Sequence, residues 1–167
     1  MKPEQAMDLG RRATACPRWG WTGGMLTLDG KRLLSARRGP NGCWVLDLAF
    51  YEWLVEITPG CWTWHDAEDG RHVHDAGIPV PDLRDPATLG CLLALVQEIL
   101  HDPSLSAFEL PSGAWVAGGL YIGDHQLQYD ERGRGPSEAE ALVAALEAAP
   151  AVVTPGSATL STENARG

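Results

Sequence analysis

The segment from Asp85 to Leu100 carries the clearest folding signal in the chain. Asp85 suits a helix N-cap, and Pro86 suits the first helical position. The apolar residues that follow recur at helical spacing and form one wide stripe: Leu89, Leu92, Leu93, Val96, Ile99 and Leu100. Asp102 and Pro103 end the segment. A helix with so broad an apolar face predicts a second layer of structure packed against it.

Two further helices are predicted, and the regions between the helices carry strand signals. The first helix covers residues 3–16; the last begins at the cap Ser137, whose capping-box partner is Glu140, and closes at Pro150. Strands are predicted at 25–28, 31–34, 43–48, 53–57, 61–66, 71–75, 105–110, 114–117 and 120–129, with a loop at 37–42 and a helical turn at 50–54 as an alternative.

The order helix, strands, helix, strands, helix predicts an α+β fold in which about three helices cover antiparallel sheet, as in an α-β-α sandwich. We expect one domain over residues 1–150. Residues 151–167 lack apolar periodicity and predict a disordered tail.

Two stretches, DLRDPATLGCLLALVQEILHDP at 82–103 and PSEAEALVAALEAAP at 136–150, resemble recurrent segments of small, mostly uncharacterised phage and prophage proteins. The N-terminal EQAMDLGRRATAC, the Trp19-Gly20-Trp21 sequence after it and the strand at Trp115 fit the same group. Their order is similar to that of the phage α-β-α sandwich domains. The resemblance covers roughly half of the chain and implies a fold and a phage origin. It carries no catalytic residue across.

The charge balance limits the partners that the protein can have. The chain has 22 acidic and 13 basic residues and a formal net charge of −9. Such a surface repels phosphate backbones, which argues against direct binding of bulk nucleic acid. We see no signal peptide or apolar run long enough to span a membrane, and no C-x-x-C pair among the four cysteines. These features predict a cytoplasmic protein without a membrane partner.

A histidine cluster lies in WTWHDAEDGRHVHD, residues 62–75. A two-residue loop at Asp69-Gly70 places His65 opposite His74, and a four-residue loop at 67–70 places it opposite His72. In both registers His65, His72 and His74 share one face of the sheet, whereas a three-residue loop separates them. Three imidazoles suit zinc or nickel with an open position for water. The alternative is a solvated hairpin end.

Tryptophan and arginine supply the other candidate site. The chain has seven tryptophans, most of which we expect to pack in or beside the sheet. Tryptophan is also common at binding hot spots and at sites where bases stack. Arg37 and Arg38 begin a basic, glycine-rich loop that could hold a phosphate or an acidic surface, although a solvated hairpin end is the alternative. The candidate binding residues are Arg37, Arg38, Trp44 and Trp53.

The sequence is compatible with three functions. The chain lacks the G-x-S-x-G, Walker A, H-E-x-x-H and G-x-G-x-x-G motifs, which disfavours an enzyme. The leading prediction is a phage accessory protein without a cofactor that binds and inhibits a host protein, such as a nucleic-acid-binding defence protein, by an anti-CRISPR-like use of acidic surface. It predicts a broad acidic or apolar face without a deep pocket.

One alternative is a protein that sequesters a nucleotide signal. It predicts a concave site lined by aromatic and arginine side chains, often at an oligomer interface. The other alternative is a metal-dependent hydrolase built on His65, His72 and His74.

Overall fold

The computed structural model describes residues 1–48, 52–66, 70–74, 76–123 and 126–150. Within them the helices are α1 (Pro3–Ala15), α2 (Pro86–Leu100) and α3 (Glu138–Ala148). The larger antiparallel sheet has five strands in chain order, β1 (Leu33–Arg38), β2 (Trp44–Leu48), β3 (Glu52–Thr58), β4 (Cys61–Asp66) and β5 (His72–His74). The smaller antiparallel sheet has three, β6 (Leu105–Glu109), β7 (Trp115–Gly123) and β8 (Gln126–Gly135). The α+β prediction is confirmed. The predicted tail, 151–167, lies outside the described residues.

The helix ends follow the predicted capping chemistry. The Asp85 carboxylate accepts a hydrogen bond from Thr88 N at 2.9 Å, and the Ser137 hydroxyl accepts one from Glu140 N at 3.3 Å. Within the predicted stripe of α2, Leu92 and Val96 are fully buried, whereas Leu93 is partly buried. The predicted helix and its inward face are therefore confirmed, with the centre of that face at Leu92.

Three strand predictions need correction. Strand β1 extends through Arg38, where a loop was expected, because residues 35–38 pair with β2. The strand predicted at 25–28 is absent, because Leu26 and Thr27 form only isolated bridges. The strand predicted at 53–57 is confirmed as β3, since residues 52–54 pair with β4 and do not form the alternative helical turn. The segment predicted as one strand at 120–129 is divided between β7 and β8, which pair with each other out to Gly123 and Gln126.

Helix α3 packs directly on the smaller sheet. An ideal Cβ on Gly133 of β8 would lie 2.3 Å from both Ala141 O and Ala145 N, so only glycine permits this backbone approach. One hydrophobic cluster then joins all three helices to both sheets, with members that include Leu9, Leu46, Leu92, Leu105 and Leu142.

Two segments without regular secondary structure, 17–32 and 76–85, connect the larger sheet to the helices. Leu26 N donates to the Thr88 hydroxyl of α2 at 2.8 Å, and Leu28 N donates to Val80 O at 2.9 Å. An ideal Cβ on Gly10 of α1 would lie 2.5 Å from the Val80 side chain, which shows how closely α1 approaches the second segment. These segments leave two clefts beside one face of the larger sheet. We call it the inner face, because it carries the buried side chains of Leu46 and Leu54.

Candidate functional site

The larger sheet separates the four predicted binding residues into two pairs. In the register of β1 and β2, Arg38 lies opposite Trp44, and both belong to the inner face with Leu46. Arg37 and Trp53 belong to the outer face because side chains alternate along a strand. The Arg37 guanidinium forms an ion pair with Asp47 at 2.7 Å. The structure therefore brings Arg38 and Trp44 together and places Arg37 and Trp53 elsewhere.

The outer face also holds His65 and His72 of the predicted histidine cluster. His65 lies opposite His72, and His74 lies opposite Thr63, which is the register of the four-residue loop. The Trp53 and His65 rings are parallel within 6° with centroids 5.4 Å apart, and the His65 and His72 centroids are 6.1 Å apart. Among the described residues no group of three His, Cys, Asp or Glu side chains is arranged to hold a metal ion. The side chain of His74 is outside the described part of the chain, so the zinc site stays a prediction.

A cleft of about 660 Å³ lies on the inner face, and we call it the tryptophan cleft. Its volume falls within the range of about 300–1,000 Å³ typical of small-molecule sites. Four indole rings line it, together with two arginines, one glutamate and one cysteine: Trp19, Trp21, Trp44, Trp62, Arg11, Arg38, Glu56 and Cys16.

One wall of the tryptophan cleft is formed by the chain that leaves α1. Pro17 cannot continue the helix, and Trp19 N turns back to donate to Cys16 O at 2.9 Å. The Trp19 and Trp21 rings then meet edge to face at 89°, with centroids 5.5 Å apart. Both side chains are only 5% exposed. The wall is thus a buried aromatic pair in edge-to-face contact, a geometry that ring quadrupoles favour.

Trp19 also has an unsatisfied donor. Its indole Nε1 is buried and has no hydrogen-bond partner among the described residues. A buried donor without an acceptor costs about 1–3 kcal/mol. An acceptor atom of a bound molecule or of water would remove that cost.

The opposite wall is built from β1, β2 and β3. The Arg38 guanidinium stacks on the Trp44 ring with its carbon 3.9 Å from the ring centroid, and Arg38 Nη1 donates to Gly42 O at 2.6 Å. Glu56 accepts hydrogen bonds from Trp44 N at 3.1 Å and from Gly60 N at 3.2 Å. The carboxylate therefore fixes the start of β2 against the turn between β3 and β4, and holds Trp44 in place.

The charge of the tryptophan cleft is opposite to that of the whole molecule. Arg11 and Arg38 provide two guanidinium groups, and Glu56 is the one carboxylate among the described lining residues. The Arg11 side chain is exposed, and no described residue bonds or pairs with its guanidinium. One local positive charge is thus free for an anionic ligand.

No protein-family model matches this chain, and no curated protein or solved structure is significantly similar to it. The phage origin therefore stays a prediction. Among the described residues, no helix is long and apolar enough to cross a membrane.

Sequence reasoning missed several residues of the tryptophan cleft, namely Arg11, Trp19, Trp21, Glu56 and Trp62. A signal for Trp62 was available, because Trp62 and Trp64 alternate with Thr63 and His65 along β4 and must share the face opposite the histidines. The alternation of Trp44, Leu46 and Leu48 similarly places Trp44 on the core face. Arg11 has no such signal, since its position depends on how α1 packs.

Proposed function

We propose that this protein binds a small planar aromatic anion, of the nucleotide class, in the tryptophan cleft and acts by sequestering it. The observation that carries the proposal is the convergence of four indole rings and two guanidinium groups on one concave site. Base–aromatic stacking contributes about 1–3 kcal/mol per base. Guanidinium groups bind phosphate oxygens in a bidentate manner.

The charges in the cleft favour an anion over a cation. Aromatic cages also bind quaternary ammonium groups through cation–π contacts. Here, however, Arg38 already occupies a face of Trp44, and Arg11 adds a second positive charge. The Glu56 carboxylate is engaged by two backbone N–H groups and is not presented to a ligand as a free acceptor.

The groups that line the cleft support binding rather than turnover. Cys16 Sγ donates to Leu146 O at 3.5 Å and has no base beside it among the described residues. Glu56 accepts from backbone N–H groups with both oxygens. A nucleophile needs an adjacent base to activate it, and these contacts do not supply one.

Inhibition of a host protein remains the second candidate, and one part of the surface favours it. Leu120, Tyr121 and Ile122 are exposed on consecutive positions of β7, with Ile122 82% exposed. Leu120 and Ile122 share one face of β7, and exposed apolar side chains grouped on one face are common at protein interfaces. The two candidate functions thus depend on residues in different parts of the molecule.

The proposal is tested by titrating the protein with AMP, adenosine and ribose 5-phosphate in a calorimeter. AMP carries both base and phosphate and should bind more tightly than either fragment. Trp44→Ala and Arg38→Ala should each weaken AMP binding about tenfold, the equivalent of about 1.4 kcal/mol. Trp44→Phe keeps an aromatic face and should retain most of the affinity.

Two variants on the outer face serve as controls. Arg37→Ala removes the same charge one residue away, and the triple variant of His65, His72 and His74 to alanine removes the histidine cluster. Both should bind AMP within about twofold of wild type, because the Arg37, His65 and His72 side chains lie on the other face of the sheet. Equal losses in Arg37→Ala and Arg38→Ala would reject the cleft. Absence of nucleotide binding would leave host-protein inhibition as the leading candidate.

A further inference from the structure

A second cleft lies on the other side of the 76–80 segment, and we call it the apolar cleft. It has a volume of about 380 Å³ and is lined by Leu54 and Trp64 of the larger sheet, by Leu28 and by Met7 of α1. Ile78, Pro79 and Val80 line both clefts, so this segment is their common wall. The apolar cleft is thus a separate concavity in the same region of the fold.

Exposed apolar side chains converge at the mouth of this cleft. Met7 is 36% exposed, Val73 is 48% exposed and Ile78 is 56% exposed, and each comes from a different part of the chain. Single exposed apolar residues are normal on protein surfaces. Three around one concavity form a continuous surface that gains free energy when an apolar group covers it.

The charged groups of the apolar cleft select the kind of ligand. Lys31 Nζ lies 3.2 Å from Glu52 and 5.0 Å from the centre of the Trp64 ring. Trp64 Nε1 also donates to Glu52 Oε2 at 3.1 Å. The ammonium is therefore neutralised within the protein, and Asp29 adds a second carboxylate at the rim. With Lys31 paired to Glu52, Asp29 is the remaining charged group among the described lining residues, and its carboxylate disfavours an anionic head group.

We propose that the apolar cleft is a second binding site, for an aliphatic chain that carries an uncharged or cationic head group. Its charge preference is opposite to that of the tryptophan cleft, where two guanidinium groups face one carboxylate. The inference does not depend on nucleotide binding, because Met7 and Val73 line only the apolar cleft.

The test measures binding of three homologous series by calorimetry below their micelle concentrations: n-alkyltrimethylammonium ions, n-alkanols and n-alkanoates of six to ten carbons. Each methylene that the cleft buries should tighten binding about fourfold until the cleft is filled. At equal chain length the cation and the alcohol should bind more tightly than the carboxylate. Tightest binding by the carboxylate, or no binding by any series, would overturn the proposal.

Matched variants locate the site. Met7→Gln and Val73→Asn remove apolar surface at the mouth without adding charge, and each should weaken alkanol binding about tenfold. Ile122→Asn makes the same kind of change on β7, outside the cleft, and should leave the affinity unchanged. Because Met7 and Val73 are partly exposed, these variants should stay folded, as circular dichroism will check. Equal affinities in all three variants would show nonspecific adsorption and refute the site.

Discussion

At the scale of single residues, the carboxylate of Asp85 links its own segment, 76–85, to helix α2 and to segment 17–32. It accepts hydrogen bonds from Thr88 N and Thr88 Oγ1 of α2, each at 2.9 Å, and from Arg32 Nη2 at 2.9 Å. Arg32 also donates to Gly24 O at 2.6 Å. The hydrogen bond from Arg32 is the main cause that lowers the pKa of Asp85 from 3.8 to about 2. The charged form is therefore more stable in the folded protein than in the unfolded chain.

Asp85→Asn keeps a side-chain oxygen at the N-cap but removes the charge that pairs with Arg32. We expect the melting temperature to fall by a few degrees at neutral pH. Because the folded pKa lies below the unfolded one, the stabilisation is complete above about pH 4 and is lost as the pH falls towards 2. Thermal unfolding of both proteins between pH 2 and 7 tests this. The two melting temperatures should converge at low pH, and a constant difference would contradict the assigned role.

These residues show which part of the structure local sequence can predict. The roles of Asp85 and Ser137 as caps depend on residues three positions away, so sequence alone identified them. The partner of Asp85, Arg32, is 53 positions away in the chain. That contact depends on how segment 17–32 folds over α2, and no local pattern encodes it.

At the scale of secondary-structure elements, β8 was the largest error of the sequence interpretation. Its sequence, QLQYDERGRG, has no regular alternation of apolar and polar residues. The reason is that much of its surface faces solvent, including the exposed side chains of Asp130, Glu131 and Arg132. A strand without one fully buried face gives no period-two signal, so only its pairing with β7 defines it.

Because β8 and α3 are in close contact, one methyl group added at Gly133 should lower the free energy of unfolding. Gly133→Ala places Cβ 2.3 Å from backbone atoms of Ala141 and Ala145, and backbone cannot rotate away as a side chain can. We expect a loss of about 3 kcal/mol of unfolding free energy, at the upper end of the usual cost of overpacking.

A matched glycine provides the control for that variant. Gly90 lies within α2, and an added Cβ would have no heavy atom within 4 Å. Gly90→Ala should therefore stabilise the protein by about 0.5–1 kcal/mol through helix propensity. Urea unfolding measures both changes. A loss below about 1 kcal/mol in Gly133→Ala would mean that α3 can move away from β8.

At the scale of the whole molecule, the candidate site combines a predictable part with an unpredictable one. The tryptophans and the Arg38 region were recognised from composition and local charge. The alternation along β1 also implies that Arg37 and Arg38 lie on opposite faces, but it does not say which face is covered. That depends on Trp19, Trp21 and the 76–80 segment, which reach the inner face through irregular chain. Long-range packing of irregular segments has no periodic signature, so the cleft itself was not predictable.

The distribution of core residues predicts how the molecule unfolds. Leu46 on β2 and Leu142 on α3 are both fully buried and belong to one hydrophobic cluster, although they lie in different layers. Because the cluster is continuous, loss of either layer exposes the apolar surface of the other. We therefore expect one cooperative unfolding transition rather than separate opening of the larger sheet and the helical layer.

Two spectroscopic probes report on the two layers separately. The tryptophans other than Trp115 belong to the larger sheet or line the cleft on its inner face, so fluorescence follows that side, whereas circular dichroism at 222 nm follows the helices. The urea curves from both probes should coincide in wild type. Leu46→Ala and Leu142→Ala should each lower the unfolding free energy by about 2–5 kcal/mol, equally by both probes. A fluorescence transition displaced by Leu46→Ala while the circular dichroism curve stays in place would divide the molecule into two independent folding units.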